Sequence, residues 1–157
     1  PQSQNYLRQL VDEFSDLPLV LEVRNRGWIQ DRPLRFIESL GVGFCNIDQP
    51  AFRSNIPLTS YAFGSVGYLR LHGRNYKAWF AQDAGRDERY DYSYEERELD
   101  QIQAALEEIA SKVERMFVIA NNHYRGQAVA TGIQLMRRIT GEDVPFPGRV
   151  GEQYGLK

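Results

Sequence analysis

Four pairs of side chains, each spaced i, i+2, carry the groups in this sequence that could do chemistry: Glu22 and Arg24, Asn46 and Asp48, Arg70 and His72, Asn121 and His123. Carboxylates and imidazoles move protons, and imidazole alone titrates near neutral pH without strong perturbation. Guanidinium groups hold phosphate through paired, charge-assisted hydrogen bonds. The expected catalytic set is therefore Asp48, His72 and His123. One of the histidines would act as general acid or base, and Asp48 would orient an imidazole or hold a metal. Arg24, Arg70 and Arg74 would bind phosphate, with Glu22 and Asn121 beside them. Glu22 and Arg70 read equally well as an internal pair that neutralises itself, since buried charges must be paired. Trp79, Tyr76 and Tyr92 offer faces for stacking. Trp28 reads equally as a stacking face or as a cap on the core. Two histidines and two carboxylates suffice in number for a divalent metal, but no local ligand spacing such as HExxH backs one.

The elements that must position these groups follow from periodicity. Asn5 to Asp16 has the helical pattern, with Leu7, Leu10, Val11 and Phe14 on one face and Pro18 as the stop. Strands are predicted over Leu19–Arg24, Val42–Asp48, Gly67–His72 and Met116–Asn121. Between the first two, Asp31 and Pro33 open a short helix that Gly41 ends. Residues 49–66 show no period. Gly73 to Tyr92 is a long loop containing Tyr76, Trp79, Phe80, Tyr90 and Tyr92, expected to close over a site as a lid. Ser93 and Glu96 form an expected capping box for a helix carrying Leu99, Ile102, Leu106, Ile109 and Val113. Tyr124 to Thr140 is the last predicted helix, and residues 142–157 read as an irregular tail. Strands separated by helices or long connections imply a parallel sheet.

The reactive pairs sit at the C-terminal ends of the predicted strands, each on one phase, with apolar residues on the other. Cys45 is assigned to the apolar phase as an inert thiol. A sheet polar on one phase near its strand ends suits a barrel better than an open sheet covered on both faces, and barrel active sites lie at that end. The helix opening at Tyr124 adds free backbone N–H groups, and with Arg125 it makes an expected anion site. Gly41-Val42-Gly43 and Gly64-Ser65-Val66-Gly67 both precede strands, which excludes them as a dinucleotide loop or a nucleophile elbow.

Composition bounds the rest. At 157 residues, with 42% hydrophobic and 25% charged residues, the chain is expected to be a single globular domain. One cysteine excludes an internal disulfide framework and multi-cysteine zinc motifs. No apolar run approaches a membrane span, and no signal peptide is evident, so the cytoplasm is the expected address and no membrane partner is expected. The chain opens on Pro1, as expected of a processed chain or a piece of a longer one. Net charge is −2, which gives no global argument for nucleic acid. Its distribution is uneven. Glu95–Glu114 holds seven acidic and two basic residues, whereas Glu22–Trp28, Arg70–Lys77 and Asn121–Gln127 together hold six basic and one acidic.

Three strings make the sequence recognisable: Glu22-Val23-Arg24-Asn25-Arg26-Gly27-Trp28, Tyr68-Leu69-Arg70-Leu71-His72-Gly73-Arg74, and Asn121-Asn122-His123-Tyr124-Arg125-Gly126-Gln127-Ala128-Val129-Ala130. In order and spacing they resemble the YecE-like proteins, the family of domain of unknown function 72, over nearly all of Leu17–Ile139. Asn25 stands where that family usually has His, so an imidazole role there does not carry over. The resemblance implies a (β/α)8 TIM-type barrel of which this chain is the second half, with about four parallel strands and outer helices. Asn122 and Gln127, within the third string, are counted among the expected substrate-binding residues, and the family itself has no established biochemical activity. The family's fold is similar to metal-dependent endonuclease-IV-type barrels, an analogy of fold alone.

Two functions are expected to compete. One is an enzyme, a phosphoester hydrolase acting on a phosphorylated or nucleic-acid substrate. The other is a non-catalytic module that binds phosphate or single-stranded nucleic acid. A solvated mouth on a plain scaffold is the third reading. A half barrel has two open sheet edges, so self-association is expected if the half barrel is the whole chain.

Overall fold

Helix α1 runs Gln2–Glu13 in a computed structural model that describes residues 2–156 other than 80, 82 and 84. It starts and ends three residues upstream of the predicted Asn5–Asp16. Phe14 and Leu17 are exposed, so no burial holds a further turn. Strand β1 is only Val20–Leu21. Beyond it the chain leaves the sheet to pair with the 52–56 segment, through Ile56 N–H to the Arg24 carbonyl (3.0 Å) and Arg26 N–H to the Ser54 carbonyl (2.7 Å). A short 3-10 turn over Arg26–Ile29 leads into α2 (Asp31–Ser39). Strands β2 (Gly43–Asp48) and β3 (Val66–Leu71) follow. The predicted long loop contains two short helices, α3 (Tyr76–Trp79) and α4 (Arg86–Arg89). Phe80, counted among its aromatics, lies outside the described residues.

Helix α5 spans Glu96–Ala110, and its capping box is Glu95 with Glu98, not Ser93 with Glu96. Burial of Tyr94, whose ring belongs to the core beneath the helix, moves the helix start two residues along. Strand β4 (Arg115–Ala120) precedes a 3-10 turn at Tyr124–Gly126 and α6 (Gln127–Thr140). The tail is not irregular throughout: Gly148–Tyr154 forms α7. The Tyr154 hydroxyl donates to the Arg125 carbonyl (3.0 Å), so this helix folds back onto the 3-10 turn. No described helix is long and apolar enough to cross a membrane.

The four strands form one parallel sheet in the order β1-β2-β3-β4. Its register decides which side chains share a face. Asp48 aligns with Leu71 and Ala120, and Asn46 with Leu69 and Val118. Leu69 and Leu71 pack against Leu99, Ile102 and Leu106 of α5, so this face is the one the helices cover. Ile47 aligns with Arg70 and Ile119 on the opposite, helix-free face. Asn46 and Asp48 therefore do not share a face with Arg70, and the phase inferred for β2 from polarity is reversed. All six residues of β2 are buried, so polarity does not mark its outward side. Asn46 instead pairs with a loop: its Oδ1 accepts from Thr59 Oγ1 (2.8 Å) and Tyr61 N–H (2.9 Å), and its Nδ2 donates to the Tyr61 carbonyl (2.9 Å). Cys45 correspondingly lies on the helix-free face, with Sγ 3.8 Å from a Glu22 carboxylate oxygen.

Candidate functional site

The helix-free face carries a charged cluster at its strand ends. Glu22, just past β1, accepts from Arg24 Nε (2.8 Å) and Arg70 Nη1 (2.5 Å). Arg70 Nε also donates to Asn121 Oδ1 (3.2 Å), which ties the end of β3 to the end of β4. Arg24 Nη2 lies 3.4 Å from His72 Nε2. Burial works to raise the pKa of Glu22, but the hydrogen bonds and charges of Arg70 and Arg24 outweigh it and hold the carboxyl below its ordinary value. Arg70 is buried against its own charge, yet Glu22 keeps its pKa above the usual value. His72 is 1% exposed. Burial, reinforced by the positive charges of Arg24 and Arg70, lowers its pKa to about 4. It is neutral near pH 7, and its Nδ1 is buried without a hydrogen-bond partner.

Aromatic rings wall this cluster. The His72 ring centroid lies 6.3 Å from Trp79 and 5.8 Å from Tyr90, and those two lie 6.0 Å apart. Tyr90 continues to His123 at 5.3 Å. His123 is half exposed. Its Nδ1 is 3.0 Å from the Asn121 carbonyl and its Nε2 is 3.2 Å from Asp87 of α4. The 73–92 segment thus reaches the strand ends at Trp79 and Tyr90. Asn75 anchors it, because its Nδ2 donates to the Glu88 and Asp91 carbonyls (3.1 and 2.9 Å). Tyr90 is one of the aromatics expected in the lid, whereas Asp87 carries no signal in the sequence; both line the cluster. No local spacing marks them, because they arrive from a segment without period.

The remaining sequence-selected residues lie elsewhere. Asp48 is 2% exposed on the helix-covered face. It accepts from Arg74 Nη2 (2.7 Å) and Nε (2.9 Å) and from the Tyr94 hydroxyl (2.7 Å), so it is not placed to orient His72. Arg74 is spent on Asp48, Glu98 (3.3 Å) and Gln101 (3.0 Å). The cause is Gly73, whose φ of +83° turns the chain sharply after His72. A Cβ at Gly73 would stand 2.5 Å from Tyr92 Cβ. Asn122 donates to the Tyr92 carbonyl (3.0 Å) and to Thr131 Oγ1 (2.9 Å). Gln127 accepts from Tyr92 N–H (2.8 Å) and donates to Asp91 (2.8 Å). Both hold the loop in place. Arg125 is exposed, with φ +49°, and its guanidinium lies over the Tyr124 ring. Trp28 packs beside Phe36, Ile37 and Phe44, as a core cap. Tyr92 hydrogen-bonds Glu98 (2.7 Å) beside the core, and Tyr76 stacks on Phe52 (4.8 Å), so neither ring faces His72.

Among the described residues no three His, Cys, Asp or Glu side chains gather as metal ligands. Cys45 is inert as a nucleophile. Burial, with the Glu22 charge beside it, pushes its thiol up to about 12.

The relatives agree with this fold. The family described as protein of unknown function DUF72 matches residues 1–150. The UPF0759 protein YunF of Bacillus subtilis (strain 168) is 30% identical over 160 residues, covering 96% of this chain and 56% of that protein. The crystal structure of a DUF72 family protein from Thermotoga maritima MSB8 superposes with a TM-score of 0.79 at 28% identity, over 87% of this chain and 51% of that one. A DUF72 family protein from Enterococcus faecalis V583 gives 0.79 at 26%, over 92% and 55%. The chain thus spans about half the length of the relatives it matches, consistent with half of a TIM-like barrel. Matched along nearly its whole length in sequence and in fold, it belongs to the DUF72 family.

Proposed function

We propose that the strand-end cluster binds a phosphate-bearing small molecule between Arg24 and Arg70. One observation carries this reading. Both guanidinium groups are anchored on Glu22, yet Arg24 Nη1 and Arg70 Nη2 keep no protein partner among the described residues. Anchored guanidinium groups lose little freedom on binding, and two of them against one carboxylate, beside a neutral His72, leave net positive charge. The unpartnered Nδ1 of His72 supports the same reading, because a buried polar atom without a bond costs about 1–3 kcal/mol that a ligand oxygen relieves. Trp79 and Tyr90 favour a ligand with a flat ring, such as a nucleotide.

Calorimetric titration with inorganic phosphate and with adenosine 5′-monophosphate tests it. Arg24→Gln, at an exposed side chain, is expected to weaken binding at least tenfold, the scale of one charge-assisted hydrogen bond. Absence of binding by either probe at millimolar concentration overturns the reading. Phosphoester hydrolysis is a second reading, favoured by His123. That imidazole is reachable from solvent and oriented at both nitrogens, whereas His72 has too low a pKa for a general acid at neutral pH. Turnover of a simple phosphoester that is lost in His123→Ala would support it. Turnover unchanged in that variant would exclude it.

A further inference from the structure

Outside the strand-end site, the surface holds an arginine-lined groove. Its wider part, about 1030 Å³, lies between α1 and α2 and is lined by Arg8, Arg32 and Arg35. Its narrower part, about 750 Å³, lies between the 3-10 turn and the 52–54 loop and is lined by Arg26 and Arg53. Gln30 lines both parts, which places them side by side on the surface. All five arginines are exposed. None of the five forms an ion pair among the described residues, and Asp31 is the sole carboxylate lining the trough. The Arg8 guanidinium lies over the Phe36 ring at 5.2 Å, a cation–π contact that sets its position on the wall of the groove.

The arrangement runs against the chain's overall charge of −2. Several arginines elsewhere are ion-paired: Arg70 with Glu22, Arg74 with Asp48 and Glu98, Arg137 with Asp143, Arg138 with Glu96 and Asp100. Five like charges along one concavity repel each other, and a linear polyanion relieves that repulsion at every step along its length. Phe52 lines the smaller part, and its ring lies 4.8 Å from the exposed Tyr76 ring, tilted by 34°, so aromatic surface borders the basic track. Charge along a groove combined with a stacking face suits a single-stranded phosphodiester. A lipid surface fits less well, since a concave trough does not lie flat on a bilayer.

We infer that the groove lined by Arg8, Arg32, Arg35, Arg26 and Arg53 binds single-stranded nucleic acid, with its backbone on the guanidinium groups and a base on the Phe52–Tyr76 pair. The reading is independent of the strand-end site, which uses Arg24 and Arg70.

Fluorescence anisotropy of the full chain with labelled 20-nucleotide oligo(dT) and oligo(U) tests it at two salt concentrations. The double variants Arg32→Glu/Arg35→Glu and Arg26→Glu/Arg53→Glu change only exposed side chains, and circular dichroism checks their fold. Each is expected to weaken binding about tenfold or more. Losing two phosphate contacts also reduces the slope of log K against log salt by about 1.4, at about 0.7 per phosphate on a single strand. Lys112→Glu, in the turn just after α5, is expected to leave binding unchanged. Binding unmoved by both double variants overturns the inference, as does absence of binding at low salt. Equal affinity for a duplex of the same length overturns the single-strand assignment. Binding to anionic vesicles but to neither oligonucleotide assigns the groove to a lipid surface instead.

Discussion

His72 shows how burial, rather than residue type, sets what a side chain does. An imidazole at a strand end suggests a proton carrier, but the desolvated ring between two guanidinium groups resists protonation down to about pH 4. That resistance is linked to folding. Below the ordinary imidazole pKa of about 6.5 the unfolded chain takes up a proton that the folded one refuses, so stability falls between about pH 6.5 and pH 4. The full shift corresponds to about 3 kcal/mol. Urea unfolding at pH 7 and pH 4.5 is expected to show this loss, and His72→Gln is expected to flatten it. A slope unchanged in the variant would assign the effect to another group. Glu22 acts in a lower window: its pKa is held below the ordinary carboxyl value, so its contribution is present above that value and is lost as the pH falls through the lowered one.

At the scale of elements, the Asp48–Arg74 pair joins the end of β2 to the first turns of α5 through Glu98 and Gln101. Tyr94 completes the joint: its hydroxyl donates to Asp48 and accepts from the Gly73 N–H (2.9 Å). A carboxylate this buried needs its cation, so Arg74→Ala leaves an unpaired charge under the helix start. The expected cost is about 3 kcal/mol, read as a lower midpoint in urea. Ligand affinity at Arg24 and Arg70 is expected to be unchanged. Weakened phosphate binding with unaltered stability would instead place Arg74 in the site. The same joint anchors the start of the 73–92 segment, which looks like a loop in sequence, because the Gly73 N–H donates to the Tyr94 hydroxyl. The segment is pinned at Gly73, Asn75, Tyr92 and Gln127.

For the molecule as a whole, the helix-free face of the sheet leaves apolar side chains in solvent. Phe117 and Ile119 of β4 are 45% and 39% exposed there, and Tyr68 leans against Phe117. Side chains of this kind on a sheet face are core in a closed barrel, and β4 also leaves a free edge. The half-length chain is therefore expected to bind a hydrophobic dye and to associate as its concentration rises. Phe117→Asp is expected to lower both signals without changing the far-ultraviolet spectrum. Sedimentation at two concentrations checks this, and a monomer with no dye binding would show that the face is adequately covered by the chain itself.

Much of the architecture was legible in the sequence because it depends on local periodicity and punctuation. The 3.6-residue repeat of Leu99, Ile102, Leu106 and Ile109, the stop at Gly141, and helices or long connections between apolar runs suffice for four parallel strands with outer helices. The strings around Arg24, His72 and His123 were enough for the family. Which face each strand end presents was not legible for β2, since alternation marks a face only where one side meets water, and β2 is buried on both. Asp48 and Arg74 consequently looked like site residues and pair with each other on the helix-covered face, whereas Asp87 reaches the strand-end cluster from a segment with no pattern to mark it. The unpaired arginines of the outer groove come from α1, the 3-10 turn, α2 and the 52–54 loop, four segments that no spacing in the chain connects. Only the packing of those segments makes them one surface, because charge acts through distance in space and not through distance along the chain.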